Sequence, residues 1–500
     1  MELEFKKDLF NCMRECVHEV QNGEETLEIR IPDGSADIGR VLAAWGQPVL
    51  RSKEWRNQQI TIACGMMVWV MYCPEDSSQV QCLEGWIPYQ FRWDLPQNTR
   101  EGMTRVDMAV RFVDARSISP RKIMIRSGLA VLLQALVPHQ SVIPKPDDPG
   151  EEIQILKKSY PIRYMKYSGE KSFQLSEQLT LPQSVPQAEK ICYYSVKPEI
   201  TEQKMVGSRA VFKGNANLHL LYLSESGQLH TWDFSLPFSQ YAQLEEAPAG
   251  ENWVDVWVCP VNLELNPDEG DGLQLKASFT AQYLAEESIL QEVVADAYSP
   301  GRPSETRQET LDIPVVMDTR WERLTGEQTV AGDANVPVDV VLLTDYPARQ
   351  TVDGQLRLEI PHSLQVLYYG ENSVPMAAVA RWESVLEQKT GPGCSVMMLP
   401  GVGPEPHVLP SGDSMSVQWE LPVRLRCTGD SGIPVVTSME LGEKVLPDET
   451  GPSLLLKRVG ETGLWELAKQ TGSTPDSIRK ANDLQGEPEP GQFLLIPLPS

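Results

Sequence analysis

No stretch of about 18 consecutive apolar residues occurs in this chain, so no segment is long enough to cross a bilayer as a helix. The chain opens Met-Glu-Leu-Glu-Phe-Lys-Lys-Asp, without the basic n-region and apolar core of a secretory leader, so export is not expected. Basic residues are scarce: 44 Lys and Arg stand against 69 Asp and Glu, a formal charge of −25. Such a surface repels nucleic acid and anionic lipid, which excludes both as expected partners. The nine cysteines are odd in number and scattered, which points to reduced thiols in a cytosol-like compartment and not to a disulfide framework. Phosphate-cradling glycine loops of the P-loop or dinucleotide type are missing, as is a His-Glu-x-x-His metal helix. No cofactor is expected.

What is abundant is the material of short strands and turns. The 39 prolines and 35 glycines are spread over 500 residues, a length that suggests three or four domains. Three segments read alike, each an apolar run ending in tyrosine (Tyr72, Tyr222, Tyr368), then a polar turn, then a second run with a tryptophan (Trp86, Trp232, Trp382). A polar turn between two such runs predicts a hairpin. Upstream, Pro32 and Pro182 each precede their tyrosine by 40 residues, whereas Pro314 precedes Tyr368 by 54, as if the third copy held an insertion. A closing strand alternates in every copy: Lys122 to Arg126, Leu273 to Ala277, and Met415 to Trp419. Period two means one buried and one wet face, as in an antiparallel sandwich. The aromatics are expected to pack in cores. Proline- and glycine-rich linkers divide the chain into 1–145, 152–298, 305–440 and a terminal segment, 453–498. The expected fold is mainly β, three tandem sandwich-like repeats forming a long, stiff, acidic scaffold.

Two constellations invite a chemical reading, and each has a plainer one. Cys12, Cys16 and His18 hold metal-ligand residue types, but two thiols at i, i+4 on one helix without a second pair are more simply buried apolar residues. Gly429-Asp430-Ser431-Gly432-Ile433-Pro434 is similar to the nucleophile motif of trypsin-like serine proteases. Ile433 stands where that motif has a glycine, and no histidine lies in the matching context. The run is better read as a turn. No metal site and no enzyme activity are expected.

The terminal segment has the order strand, helix, helix, strand. Leu456 to Val459 reads as a strand, and Leu464 to Gln470 as a helix with Leu464 and Ala468 facing inward. Thr462 can offer its hydroxyl at that helix start. A second helix opens at Thr474-Pro475-Asp476, where an N-cap hydroxyl, a proline at N1 and an acid facing the dipole agree. Ile478 and Ala481 are expected inside, and Asn482 to end the helix in the left-handed region. Phe493 to Pro497 closes as a strand.

With GETGLWELAKQTGSTPDSIRKANDL and PGQFLLIP, this segment resembles the LysM family, a small βααβ fold. The family usually has Gly-Asp-Thr-Leu-Trp where this chain carries an extra glycine, Gly463. The resemblance implies a binding groove at Glu461, Thr462, Trp465, Asn482, Asp483 and Leu484. The repeats followed by this module are similar to the SPOCS-domain proteins of spore-forming Firmicutes. That resemblance implies a non-enzymatic adaptor in the mother-cell cytoplasm at the forespore surface, whose LysM domain binds the coat morphogenetic ATPase. The alternative is a LysM protein that binds peptidoglycan or a related N-acetylglucosamine glycan. A hydrolase with an unrecognised site is the third reading.

Overall fold

Period-two alternation governs most of the chain. Ile60, Ile62, Cys64, Met66, Val68 and Val70 recur at every second position and all are buried, as expected when successive side chains of a strand point to opposite faces. The computed structural model describes residues 2–75, 79–145, 152–268, 272–332, 336–352, 355–370, 373–389, 395–444, 452–460 and 463–498. These are mainly strands, with two short helices near the end.

A short β1 (Glu2–Glu4) precedes a first unit of six strands: β2 (Lys6–Arg30), β3 (Ile38–Arg56), β4 (Gln59–Pro74), β5 (Gln81–Asp94), β6 (Met103–Ser119) and β7 (Lys122–Lys145). They form two sheets, β2-β7-β6 and β3-β4-β5. The second unit has β8 (Gln154–Thr180), β9 (Ala188–Val206), β10 (Arg209–Ser224), β11 (Leu229–Gln243), β12 (Glu251–Pro267) and β13 (Gly272–Tyr298). Its sheets, β8-β13-β12 and β9-β10-β11, repeat the same order.

Next come β14 (Ser304–Thr310), β15 (Pro314–Ala331), β16 (Val336–Thr344), β17 (Ala348–Val352), β18 (Gln355–Tyr369), β19 (Pro375–Lys389), β20 (Ser395–Pro400), β21 (His407–Ser411), β22 (Ser414–Asp430) and β23 (Pro434–Leu441). The order recurs with interruptions: β15-β22-β20 with β21 also on β22, and β16 and β17 both on β18, whose other edge carries β19. The equivalent of β9 is broken at Asp345-Tyr346-Pro347. The equivalent of β12 is broken at 401–406, where Pro404 and Pro406 supply no ladder N–H. β23 pairs with β14 and with β1, so the start of the chain and the end of the third unit share one sheet.

The three predicted hairpins are β4–β5, β10–β11 and β18–β19, all antiparallel. Tyr72, Tyr222 and Tyr368 are buried at their strand ends. The closing strands begin β7, β13 and β22, the middle strand of each first sheet. Ile123 and Ile125 are buried while Lys122 and Arg126 are exposed, and Met415 and Val417 are buried while Gln418 is exposed.

The spacing of the third copy needs correcting. Pro32 and Pro182 follow the first strand of their units, whereas Pro314 opens β15, itself a first strand. The longer interval counts a whole strand and is no insertion.

The expected long scaffold is also corrected, because the units pack side against side. Trp45 of the first unit stacks on Tyr193 of the second at 5.2 Å, and Trp69 meets Tyr194 edge-on at 4.9 Å. Cys12 and Ile143, Ile162 and Tyr164, and Ile313 and Val315 bring all three units into one apolar cluster. Between the units lie buried charges. Arg105 on β6, Asp255 on β12, Glu286 on β13 and Arg426 on β22 are each no more than 2% exposed. Arg105 meets Asp255 at 3.4 Å, Arg426 pairs with Glu286, and Arg424 with Asp255. Partners drawn from three units offset part of the cost of burying these charges, while Arg105 Nε and Arg426 Nε and Nη1 are left without a hydrogen-bond partner among the described residues.

Cys12, Cys16 and His18 lie on β2, not on a helix. A register shift between Glu15 and Val17 falls among them, and their contacts diverge. Burial pushes the Cys12 thiol up to about 11. Cys16 donates to the Ala135 carbonyl at 3.4 Å. His18 lies 3.4 Å from the Ser395 hydroxyl. The Gly-Asp-Ser-Gly run ends β22 in a break with Gly432 at φ 64°. There the Ser431 hydroxyl donates to the Leu311 carbonyl at 2.9 Å.

Candidate functional site

The terminal module consists of β24 (Leu454–Arg458), α1 (Gly463–Thr471), α2 (Pro475–Ala481) and β25 (Phe493–Pro497), with β24 and β25 antiparallel. α2 starts as its sequence requires. The Ser477 N–H donates to the Thr474 hydroxyl at 3.1 Å, and Pro475 follows the cap. α1 opens at Gly463 with φ 75°, a left-handed backbone that an L side chain rarely adopts. The Leu464 N–H donates to the Glu487 carboxylate at 3.2 Å, an anion at the positive end of the helix. Leu464, Leu467, Ala468, Ile478, Leu494 and Ile496 form the core with Val459 and with Tyr298 from the end of β13. Two details differ from expectation. Ala481 is exposed. Asn482 has φ −121°, and the left-handed residue is Asp483 at φ 50°; the Asn482 amide is held by hydrogen bonds that fix its conformation.

Of the six residues assigned to the groove, Glu461 and Thr462 lie outside the described residues. The Trp465 indole N–H donates to Asp296 Oδ2 at 2.8 Å, and its ring meets Tyr298 edge-on at 5.0 Å. The Lys469 amine donates to both Asp296 oxygens at 2.8 Å, and the Tyr298 hydroxyl donates to the Ser473 carbonyl at 2.8 Å. Trp465 therefore fastens the module to the second unit. Asn482 donates to the carbonyls of Ile478 and Leu495 at 2.8 and 2.7 Å, and accepts the Leu495 N–H at 2.8 Å. The Leu484 N–H donates to the Arg479 carbonyl at 3.1 Å, and its side chain packs partly on the module core. Asp483 is exposed.

The opposite side of the module looks different. Leu456 lies across from Leu495, and Leu454 and Phe493 sit two residues away along their strands. These four side chains are 65%, 43%, 51% and 63% exposed. Large apolar groups gathered on one face mark an interaction surface more often than scattered ones.

A second feature lies between the units. A chamber of about 590 Å³ is lined from all three, by Gln47 and Asp107, by Lys197 and His219, and by Leu343 and Glu405 among others. His219 lies 2.8 Å from Asp233, 3.0 Å from buried Asp339 and 3.6 Å from Glu405. Burial opposes charging this ring, but the hydrogen bonds to Asp233, Asp339 and Glu405 outweigh it and push its pKa up to about 12. His219 is thus an imidazolium tying β10 to the third unit. Neither this group nor Asp296 is legible in the sequence, since Asp339 and Glu405 lie over a hundred positions from His219, and Trp465 as far from Asp296.

Residues 187–266 match the family described as SipL, SPOCS domain. The matched stretch covers β9 to β12, hence the whole β9-β10-β11 sheet and the strand carrying Asp255. Neither a curated protein nor a solved structure matches the chain.

Proposed function

We propose that the protein is a non-enzymatic adaptor of spore-envelope assembly, acting in the mother cell at the forespore surface. Its terminal module is read as a LysM-type domain that binds the coat morphogenetic ATPase. The SPOCS match over 187–266 carries this reading, because it ties the second unit to a sporulation-associated family. The βααβ order of 454–497 and the exposed apolar face beside it support a binding role for the module. The engagement of Trp465 and Asn482 within the chain favours a protein partner over a sugar chain in a groove.

The test is direct binding of the purified full chain to the purified ATPase, beside sedimentation with peptidoglycan. The expected result is a complex with the ATPase that is lost on deleting 453–500. Sedimentation with peptidoglycan and no complex with the ATPase would replace the adaptor reading by the glycan one.

A further inference from the structure

β24 and β25 form a sheet of only two strands, so each has one outer edge. The pairing fixes which backbone groups reach those edges. The Leu498 N–H donates to the Ser453 carbonyl, and the Val459 N–H to the Gln492 carbonyl. In an antiparallel ladder, residues 453, 455, 457 and 459 therefore face β25, and Leu454, Leu456 and Arg458 turn their N–H and C=O groups outward. By the same alternation Leu495 points outward from β25, and there the Asn482 carboxamide takes both its N–H and its C=O. A side chain thus fills the edge of β25 as a third strand would. The edge of β24 has no such plug among the described residues. Open edges are templates for another strand, and proteins normally blunt them.

We infer that the β24 edge, with the apolar face beside it, accepts an extended segment of a partner protein as a third strand. The inference rests on the adaptor reading of the terminal module. Main-chain bonds to Leu454, Leu456 and Arg458 would supply affinity. Alternate apolar side chains of the incoming strand would pack beside Leu454 and Leu456 and extend the face these form with Phe493 and Leu495, as in other strand-addition complexes. Lys457 and Arg458 are both exposed at one end of β24, so the fitting segment is apolar with a carboxylate at that end. A second copy of the chain fits less well. Each carries a net charge of −25, so two copies repel, and four side chains cover far less than the roughly 800 Å² per partner of a stable interface.

The experiment follows amide exchange in the full chain, alone and with the purified coat ATPase, together with the affinities of Leu456→Pro and Arg458→Glu. Proline at 456 removes an outward N–H and no bond to β25, a placement tolerated on edge strands. Slowed exchange at 454, 456 and 458 in the complex, with binding at least ten-fold weaker for both variants, is the expected result. Exchange in α1 and α2 reports whether each variant keeps the module folded; if the proline variant does not, protection in the unaltered chain decides. A tight complex that leaves 454–458 unprotected overturns strand addition while the adaptor reading stands. No complex at all overturns both. Concentration-dependent protection of 454–458 in the chain alone would assign the edge to a second copy instead.

Discussion

Asp296 shows how one side chain can set the place of a whole module. Its two oxygens accept from the Trp465 indole and the Lys469 amine, and it is mostly shielded from water. Replacing it with alanine leaves both donors without their partner. Losing hydrogen bonds to a charged group at a partly buried site costs about 1–3 kcal/mol. Asp296→Ala is therefore expected to loosen the module from the second unit. Faster amide exchange at 463–471, with exchange in the β9-β10-β11 sheet unchanged, is the measurement that checks it. Unchanged exchange in α1 would mean that the Trp465–Tyr298 contact and the Tyr298 hydroxyl suffice without Asp296.

At the scale of elements, Asn482 serves as a surrogate strand for β25. Asn482→Ala would uncover the Leu495 backbone groups and free the end of α2 at once. The expected cost is about 1–3 kcal/mol, read as lower protection of the Leu495 amide and, through the shared ladder, of 455 and 457 on β24, while 463–471 exchanges as before. Much at this scale was legible in the sequence. Alternation at Lys122 to Arg126 and the Thr474-Pro475 pair gave strand and cap, because both depend on neighbours within a few residues. The third unit is less legible, since Ile313-Pro314 resembles Leu181-Pro182 locally and only strand pairing shows that Pro314 opens a first strand. The groove residues rest on resemblance alone, and nothing local to Trp465 or Asn482 reveals that Asp296 and Leu495 engage them.

At the scale of the molecule, two histidines between units give stability a pH dependence of opposite signs. His18 of the first unit lies against Ser395 and Arg349 of the third, with Glu15 nearby. Burial, then the charges of Arg349 and Arg426, lower its pKa to about 3. Burial likewise lowers that of His362, stacked on Trp382 and tilted against Trp419, to about 4. Both rings are neutral when folded. Their contribution is complete above the unfolded value of about 6.5 and falls as the pH drops from there, because the unfolded chain then binds protons that the folded one refuses. His219 behaves in reverse. Held up to about 12 by its carboxylates, it contributes fully below 6.5 and loses that contribution as the pH rises toward 12. These histidine contributions together are greatest near pH 6.5, between an acid limb and an alkaline one. Thermal melts of the full chain across pH 4–9 should separate them. His18→Gln is expected to flatten the acid limb and His219→Gln the alkaline one. If His219→Gln leaves the alkaline limb as steep as before, the imidazolium is not what joins the second unit to the third, and the other contacts between those units carry the connection.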